Sequence, residues 1–333
     1  MMKQIWKNWT AGVLAIMLVV SLAACGSNNE PKEVSEPAPT EQATPSVEQA
    51  NELKTAYPLT IKDATGESFT FTEAPKQIVS ISPAETEALF ALGLDDLVVG
   101  VSDYDDYPEA VTTKPKMGGL YNPNEEAIIA AQPDLVLTGI SMSTEAAEKL
   151  RGLGIPVFKT DPKSVDDVIA NIEIYGQITD HQAEAKIVID QMKQERDEVT
   201  EAVKSLTPEQ KKKVYIEFSI GWTVGSGEFM DELITLAGGV NVAADTEGWN
   251  EISEEKIIND NPDVILFSKN VKDENTQQTL DQIIKGRSGW DQITAVKNDA
   301  IYGLDDNLLS RPGPRVTQGL KVIASAIYPE LIK

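Results

Sequence analysis

Four short stretches of this chain gather the side chains best suited to hold a ligand. Val101-Ser-Asp-Tyr104-Asp-Asp-Tyr107-Pro108 and Gly118-Gly-Leu120-Tyr121-Asn-Pro123 bring aromatic rings and amides together, as do Gly221-Trp222-Thr223 and Gly248-Trp249-Asn250. Rings of this kind give a large flat ligand its apolar walls. Packing of each ring against its own loop is the alternative. Arg311-Pro-Gly-Pro-Arg315 sets two scarce basic residues around a rigid, donor-poor turn, just after Asp305-Asp306-Asn307. Arg311 is read as facing the ligand, against a salt bridge inside an acidic lobe.

Catalytic sets are hard to assemble from the remainder. His181 is the sole histidine and Cys25 the sole cysteine. A His-rich zinc or manganese cage cannot be built, and Ser–His–Asp or Cys–His catalysis lacks its base. There is no Gly-x-x-x-x-Gly-Lys-Ser/Thr loop. Neighbouring acids such as Asp105-Asp106 and Glu125-Glu126 read as a solvated face rather than a glycosidase pair. Beside Asp180, His181 reads as a solvated or capping residue. Nothing calls for a resident cofactor.

The elements that must position these residues are spelled twice. Glu125-Glu126-Ala-Ile-Ile-Ala-Ala-Gln-Pro133-Asp134-Leu-Val-Leu137 returns 129 residues later as Glu254-Glu255-Lys-Ile-Ile-Asn-Asp-Asn-Pro262-Asp263-Val-Ile-Leu266, with seven of thirteen positions identical. In each copy a cap (Asn124, Ser253) precedes two acids that complement the helix dipole. An Ile-Ile pair follows, proline stops the helix, and aspartate leads into a buried strand. A helix-to-strand unit repeated so far apart predicts two similar lobes, and two lobes with a cleft between them suit a protein that closes on a ligand.

The rest of the pattern agrees with an α/β fold. Leu59–Phe71 reads as a hairpin, and strands at 77–81, 97–101, 135–138 and 155–158 alternate with helices, as in a parallel sheet with covered faces. A second set follows at 213–218, 264–267 and 300–304, with helices at 230–237 and 316–327. Between them, 164–179 and 181–206 carry apolar residues at helical spacing. One unbroken helix over 181–206 would run about 39 Å. The expected organisation is a leader at 1–24, a tether at 25–56, an N-terminal lobe at 57–160, a helical connector at 161–206 and a C-terminal lobe at 207–333. Each lobe is expected to be a mainly parallel sheet flanked by helices, joined to the other by a long rigid helix.

Lys3, Lys7 and the apolar run Ala11–Val20 end in Leu22-Ala-Ala-Cys25, a secretory signal closing on a lipobox. The run is shorter than the roughly 20 residues of a membrane span. Residues 26–56 are rich in Glu, Pro, Ser, Thr and Gln and read as a flexible tether. The chain carries 29 basic against 53 acidic residues, a formal net charge of −24. That excludes nucleic acid as a partner and disfavours lying on anionic lipid.

Taken together these residues resemble the substrate-binding proteins of ABC importers for iron complexes, haem and cobalamin. The resemblance rests on Gln77-Ile-Val-Ser-Ile-Ser-Pro83-Ala-Glu-Thr-Glu87 with Leu92-Gly93, on Val98-Val-Gly-Val-Ser-Asp-Tyr104, Asp106-Tyr-Pro108 and Gly118-Gly119, and on both Pro-Asp units and the Arg311–Arg315 block. It spans residues 59–333 and is nearest the cobalamin-binding members. It implies a monomeric, non-enzymatic carrier, held to the membrane through a lipid on Cys25 alone, that delivers its ligand to a permease and ATPase complex. It also implies that Tyr104 and Trp249 line a corrin site, with Leu120, Tyr121 and Trp222 beside them and Asn307 and Arg311 at the ligand's polar edge. The cobalamin binder of Gram-negative bacteria has Trp where this chain has Leu120, and Asp at Asn307. Glu126 and Glu255 would dock one on each half of the permease, beside their capping role. A ferric siderophore or haem, the latter through Tyr104, Tyr107 or Tyr121, is the competing cargo, and a cell-surface hydrolase is the reading from another class.

Overall fold

The computed structural model describes residues 53–332. The expectations placed on the leader, on Cys25 and on most of the tether lie outside the described residues.

The N-terminal lobe opens with the antiparallel hairpin β1 (Leu59–Lys62) and β2 (Ser68–Phe71). It continues as β3 (Ile78–Ser80), α1 (Pro83–Ala91), β4 (Val98–Val101), α2 (Glu125–Ala131), β5 (Leu135–Thr138), α3 (Thr144–Gly152) and β6 (Val157–Lys159). The connector is α4 (Val165–Thr179) and α5 (Gln182–Val203). The C-terminal lobe runs β7 (Lys213–Glu217), β8 (Trp222–Val224), α6 (Phe229–Leu236), β9 (Val240–Asn241), β10 (Trp249–Glu251), α7 (Glu254–Asp260) and β11 (Val264–Ser268). It ends with α8 (Leu280–Gly286), α9 (Thr294–Lys297), β12 (Ile301–Leu304), α10 (Asp306–Leu309) and α11 (Val316–Ile327).

The repeat is whole at the level of topology. One sheet orders its parallel strands β4-β3-β5-β6 and the other β9-β7-β11-β12. Both follow the order second, first, third, fourth. Strands β3, β5 and β11 are buried along their length, which is why they read as unbroken aliphatic runs. The repeated residues earn their places one by one. Asn124 and Ser253 accept from the backbone N–H groups of Ala127 and Lys256 at 3.0 and 3.4 Å. Gln132 and Asn261 take the left-handed turn that closes each helix, at φ 48° and 49°. Asp134 then accepts from the N–H groups of Lys76 and Gln77, and Asp263 from that of Lys213. Each Pro-Asp thus pins the third strand of its sheet to the start of the first.

The connector is two packed helices, matching the two apolar-patterned stretches, with the turn between them at Asp180, which is left-handed at φ 61°. His181 takes the N-cap position just before α5, yet its side chain does not cap the helix. Its Nδ1 lies 2.7 Å from the Thr179 carbonyl. The unbroken run is α5 alone, about 33 Å long at 1.5 Å per residue. Its buried stripe (Ala185, Ile189, Met192, Val199, Val203) packs on α4 and α11. At its end Val203 closes on Gly238 in the C-terminal lobe. In the other lobe Glu85, fully buried on α1, accepts from Thr160 Oγ1 at 2.7 Å and from Tyr175 of α4 at 3.4 Å. Burial raises its carboxyl pKa. The connector is therefore bonded into both lobes.

The two aspartates of the repeat differ in load. Asp134→Ala is expected to cost about 3 kcal/mol, and Asp263→Ala about half as much, because a charge-assisted bond contributes roughly 1.5–3 kcal/mol, the lower end applying to exposed bonds such as these, and Asp134 Oδ2 accepts two where Asp263 accepts one. Chemical denaturation of the two variants measures this, and equal losses would refute it.

Candidate functional site

Strand β4 passes straight into Ser102–Tyr107. The first turn of that loop is set by Asp105, whose Oδ2 accepts from the Ser102 N–H at 2.8 Å and its hydroxyl at 2.5 Å. Asp105 is buried, and burial raises its pKa. The solvated pair expected at Asp105-Asp106 is thus corrected. Asp105 faces inward, with Oδ2 held by its own turn and Oδ1 buried without a partner, and Tyr104, Asp106 and Tyr107 are left facing out. A second loop lies against the first, with Asp103 N–H bonded to Gly118 O at 2.9 Å and Met117 N–H to Val101 O at 2.8 Å. Gly118 has φ +88°, and a Cβ there would stand 2.6 Å from the Asn124 nitrogen, so only glycine fits. This close turn carries half-buried Leu120 and exposed Tyr121 beside Tyr104, whose ring approaches Gly119.

In the C-terminal lobe Trp222 and Trp249 stand on strands, not on the loops expected for them. They belong to a three-residue antiparallel ribbon in which Glu251 faces Trp222 and Val224 faces Trp249. The two tryptophans are diagonal neighbours on one face of it. Trp249 is half-buried, edge-on to Phe218 at 5.0 Å and tilted against Phe229 at 6.0 Å. Trp222 stays 39% exposed. Trp249 is therefore structural on one side whatever its other side meets.

The carboxyl ends of the two sheets meet at a cross-lobe clamp. Glu87, on α1, is buried with its side chain 2% exposed. Arg315 Nε and Nη2 donate to its two oxygens at 2.8 and 2.6 Å, and Arg311 Nη1 donates to Oε1 at 3.0 Å. Arg311 Nη1 also reaches Asp106 Oδ1 at 2.7 Å, and Nη2 the Tyr104 carbonyl at 3.4 Å. Asn307, on α10, donates to Asp106 Oδ2 at 3.4 Å. The Arg315 guanidinium lies over the Tyr107 ring at 3.7 Å. The bond expected inside one lobe as the alternative for Arg311 is in fact a bond between lobes. Tyr104, Asn307 and Arg311 are thus brought together, with Leu120 and Tyr121 on the adjoining loop whose Gly119 the Tyr104 ring approaches. Trp222 and Trp249 form a separate patch that no hydrogen bond or ring contact joins to them among the described residues.

Glu87 escaped the sequence reading, although two acids in an otherwise apolar helix, in a chain poor in cations, were a signal. So did Glu217, buried and held bidentate by Arg287 at 2.6 Å on each oxygen. Its Oε1 accepts from the Gly221 N–H at 2.9 Å, which fixes the turn before Trp222. A cavity of about 320 Å³ opens beside the clamp, between Glu87, Tyr107, Arg315 and Met192. A wider groove of about 540 Å³, from Leu53 to Lys193 along the connector, contains none of the candidate residues. Glu126 and Glu255 are exposed at the first turns of α2 and α7.

A family model described as "Periplasmic binding protein" matches residues 78–308. The chain is 34% identical over 332 residues to an uncharacterized ABC transporter substrate-binding lipoprotein of Bacillus subtilis strain 168, covering 97% of this chain and 98% of that one. It is 28% identical over 279 residues to a cobalamin-binding protein of Halobacterium salinarum, covering 82% and 75%. Among solved structures, the apo periplasmic haem-binding protein of Roseiflexus sp. RS-1 matches with a TM-score of 0.66 at 28% identity, over 76% of this chain and 98% of that one.

Because Trp249 packs on two phenylalanines, Trp249→Ala is expected to lower stability by about 2–3 kcal/mol. Trp222→Ala and Tyr104→Ala, both exposed, are expected to stay within about 0.5 kcal/mol of wild type. Thermal and denaturant unfolding separate the two classes, and a Trp249→Ala protein as stable as wild type would show that its ring contacts carry no weight.

Proposed function

The chain belongs to the periplasmic binding protein family and is a non-enzymatic substrate-binding protein of an ABC importer, acting outside the cytoplasm; from that premise we propose that its cargo is cobalamin or a related corrinoid. One observation carries the reading. Two lobes of the same topology present exposed aromatic residues in the segments that follow the carboxyl ends of their sheet strands, Tyr104 and Tyr121 after β4 in one and Trp222 after β7 in the other. Carboxyl ends of open parallel sheets are where ligands of such folds bind. A corrin ring is wide, flat and apolar on its faces, and its amide fringe suits polar groups such as Asn307. The relative of Halobacterium salinarum is named for cobalamin binding, which supports the same cargo.

A second reading has its own support. Tyr104, Tyr107 and Tyr121 are all more than 40% exposed, and a phenolate can ligate ferric iron in haem or a siderophore. The Roseiflexus structure is that of a haem-binding protein.

In this reading Cys25 carries a lipid that holds the protein at the membrane, and Glu126 and Glu255 contact the permease, one from each lobe. Lys149 pairs with Glu125 at 2.6 Å and Arg287 with Glu254 at 3.4 Å. Among the described residues no salt bridge occupies Glu126 or Glu255, which keeps both available to a partner.

Titration of the purified chain with cyanocobalamin and ferric siderophores in parallel, followed by absorbance and tryptophan fluorescence, tests the cargo. Stoichiometric saturation by the corrinoid, weakened by about 1–3 kcal/mol in Tyr104→Ala, is expected; saturation by a siderophore alone would reject it. For docking, the Glu126→Ala/Glu255→Ala double variant is expected to bind cargo normally and lose uptake beyond either single variant. Normal uptake would leave only the dipole role of these acids, a few tenths to about 1 kcal/mol of stability each. Mass spectrometry of membrane-extracted protein is expected to find Cys25 acylated, and an unmodified thiol would remove the anchor.

A further inference from the structure

The clamp also fixes the charge that a ligand meets. Segments 102–108, 247–251 and 305–315, which hold most of the candidate residues, contain seven carboxylates and two arginines. Neither arginine is free. Arg315 spends Nε and Nη2 on Glu87 and its flat face on Tyr107. Arg311 is shared between Glu87, at its inner side, and Asp106, and its side chain is 14% exposed. The nearby lysines are committed as well. Lys116 donates to the carbonyls of Ser102 and Asp105, and Lys269 pairs with Asp305 at 3.0 Å.

Asp106 is the member of this set that faces solvent, with its side chain 57% exposed. Glu87 with Arg311 and Arg315 alone would leave one net positive charge at the mouth of the seam. Asp106 cancels it and covers the outer side of Arg311. An anionic ligand approaching Arg311 must displace a carboxylate that is already tied to the chain, and must do so among like charges. A neutral or cationic ligand faces neither cost.

We propose that Asp106 is a specificity-determining residue, which turns anionic ligands away from this site by neutralising Arg311 and so admits neutral or cationic chelates. The inference rests on the site assigned under the proposed function, but not on the cargo being a corrinoid. It differs from the opposite possibility, in which Asp106 stands in for a ligand carboxylate and is exchanged for it on binding.

Four probes test it on the full chain: cyanocobalamin, which has no net charge; the tricarboxylic acid obtained by hydrolysing three of its peripheral amides; a cationic ferric trihydroxamate; and ferric citrate. Wild type is expected to bind cyanocobalamin about tenfold or more tighter than its tricarboxylate, as like-charge repulsion at an interface predicts. Asp106→Asn should bring the two within about threefold, and Asp106→Glu, which keeps the charge, should restore the gap. Raising the salt should narrow the gap in wild type more than it changes the one in Asp106→Asn. Equal binding of the two corrinoids by wild type, a preference for the tricarboxylate, or a gap that survives Asp106→Asn would each overturn the proposal. If neither corrinoid binds, the corrinoid reading falls, and Asp106 is judged on the iron chelates alone. There, a preference for the cation that Asp106→Asn abolishes upholds it, and a wild-type preference for ferric citrate sinks it. A wild type that takes none of the four probes overturns both readings.

Discussion

One buried carboxylate holds the two lobes in register. Glu87 receives three guanidinium bonds from residues more than 220 positions away, so the clamp is a purely tertiary product, formed only when both lobes are folded and docked. Burying a lone carboxylate is costly, and Glu87 is tolerated because two arginines satisfy both its oxygens. The same logic runs outward. Two arginines around one acid leave a positive charge, and Asp106 offsets it. The loop that carries Asp106 is held by Asp105, which turns into the protein to bind the Ser102 N–H and hydroxyl. Placement of Tyr104 and Tyr107 follows from that turn.

The seam is also pinned away from the clamp. Lys163, at the start of the connector, bonds both oxygens of Glu228 at 3.1 and 3.0 Å, and Glu232 accepts from the Val165 N–H at 2.6 Å. With α5 packed against α11 and α4 bonded to Glu85, the lobes are linked by a stiff body rather than by a pair of free strands. A large closing motion would have to break several charge-assisted bonds at once. Recognition in such a body relies on surfaces formed before the ligand arrives, which lowers the ordering cost of binding.

Much of this was legible because it is local. The caps at Asn124 and Ser253, the Pro-Asp entries to β5 and β11 and the aliphatic runs of the buried strands are each decided within a few residues. The helix over 316–327 was legible to the residue, since its apolar spacing is regular and it is bounded by the Pro-Gly-Pro turn. What escaped was non-local or too short to show a period. The β8–β10 ribbon is three residues long on each strand, with 24 residues between the strands, so Trp249 read as loop. Asp105 read as solvated, because an acid in an acidic chain gives no hint that its own turn will bury it. Arg311 was singled out by scarcity, but its partner lay in the other lobe, where sequence spacing carries no information.

The repeated acid pairs show where one physical explanation stops. Dipole complementation acts on any carboxylate in a first helical turn, and so treats both members of each pair alike. The protein does not. In both lobes the first glutamate is given a cation, Lys149 for Glu125 and Arg287 for Glu254. That cation belongs in one case to a surface helix and in the other to the buried Glu217 pair. The second glutamate is left exposed in both. Two lobes that have diverged in their loops, ribbon and partner cations still agree on this division. Stability accounts for the paired acids, which would be costlier to lose in the C-terminal lobe, where Arg287 also braces Glu217 and Trp290. It gives no reason for the second glutamate to stay open at the same place twice, and that repeated exposure is the observation on which the docking proposal stands.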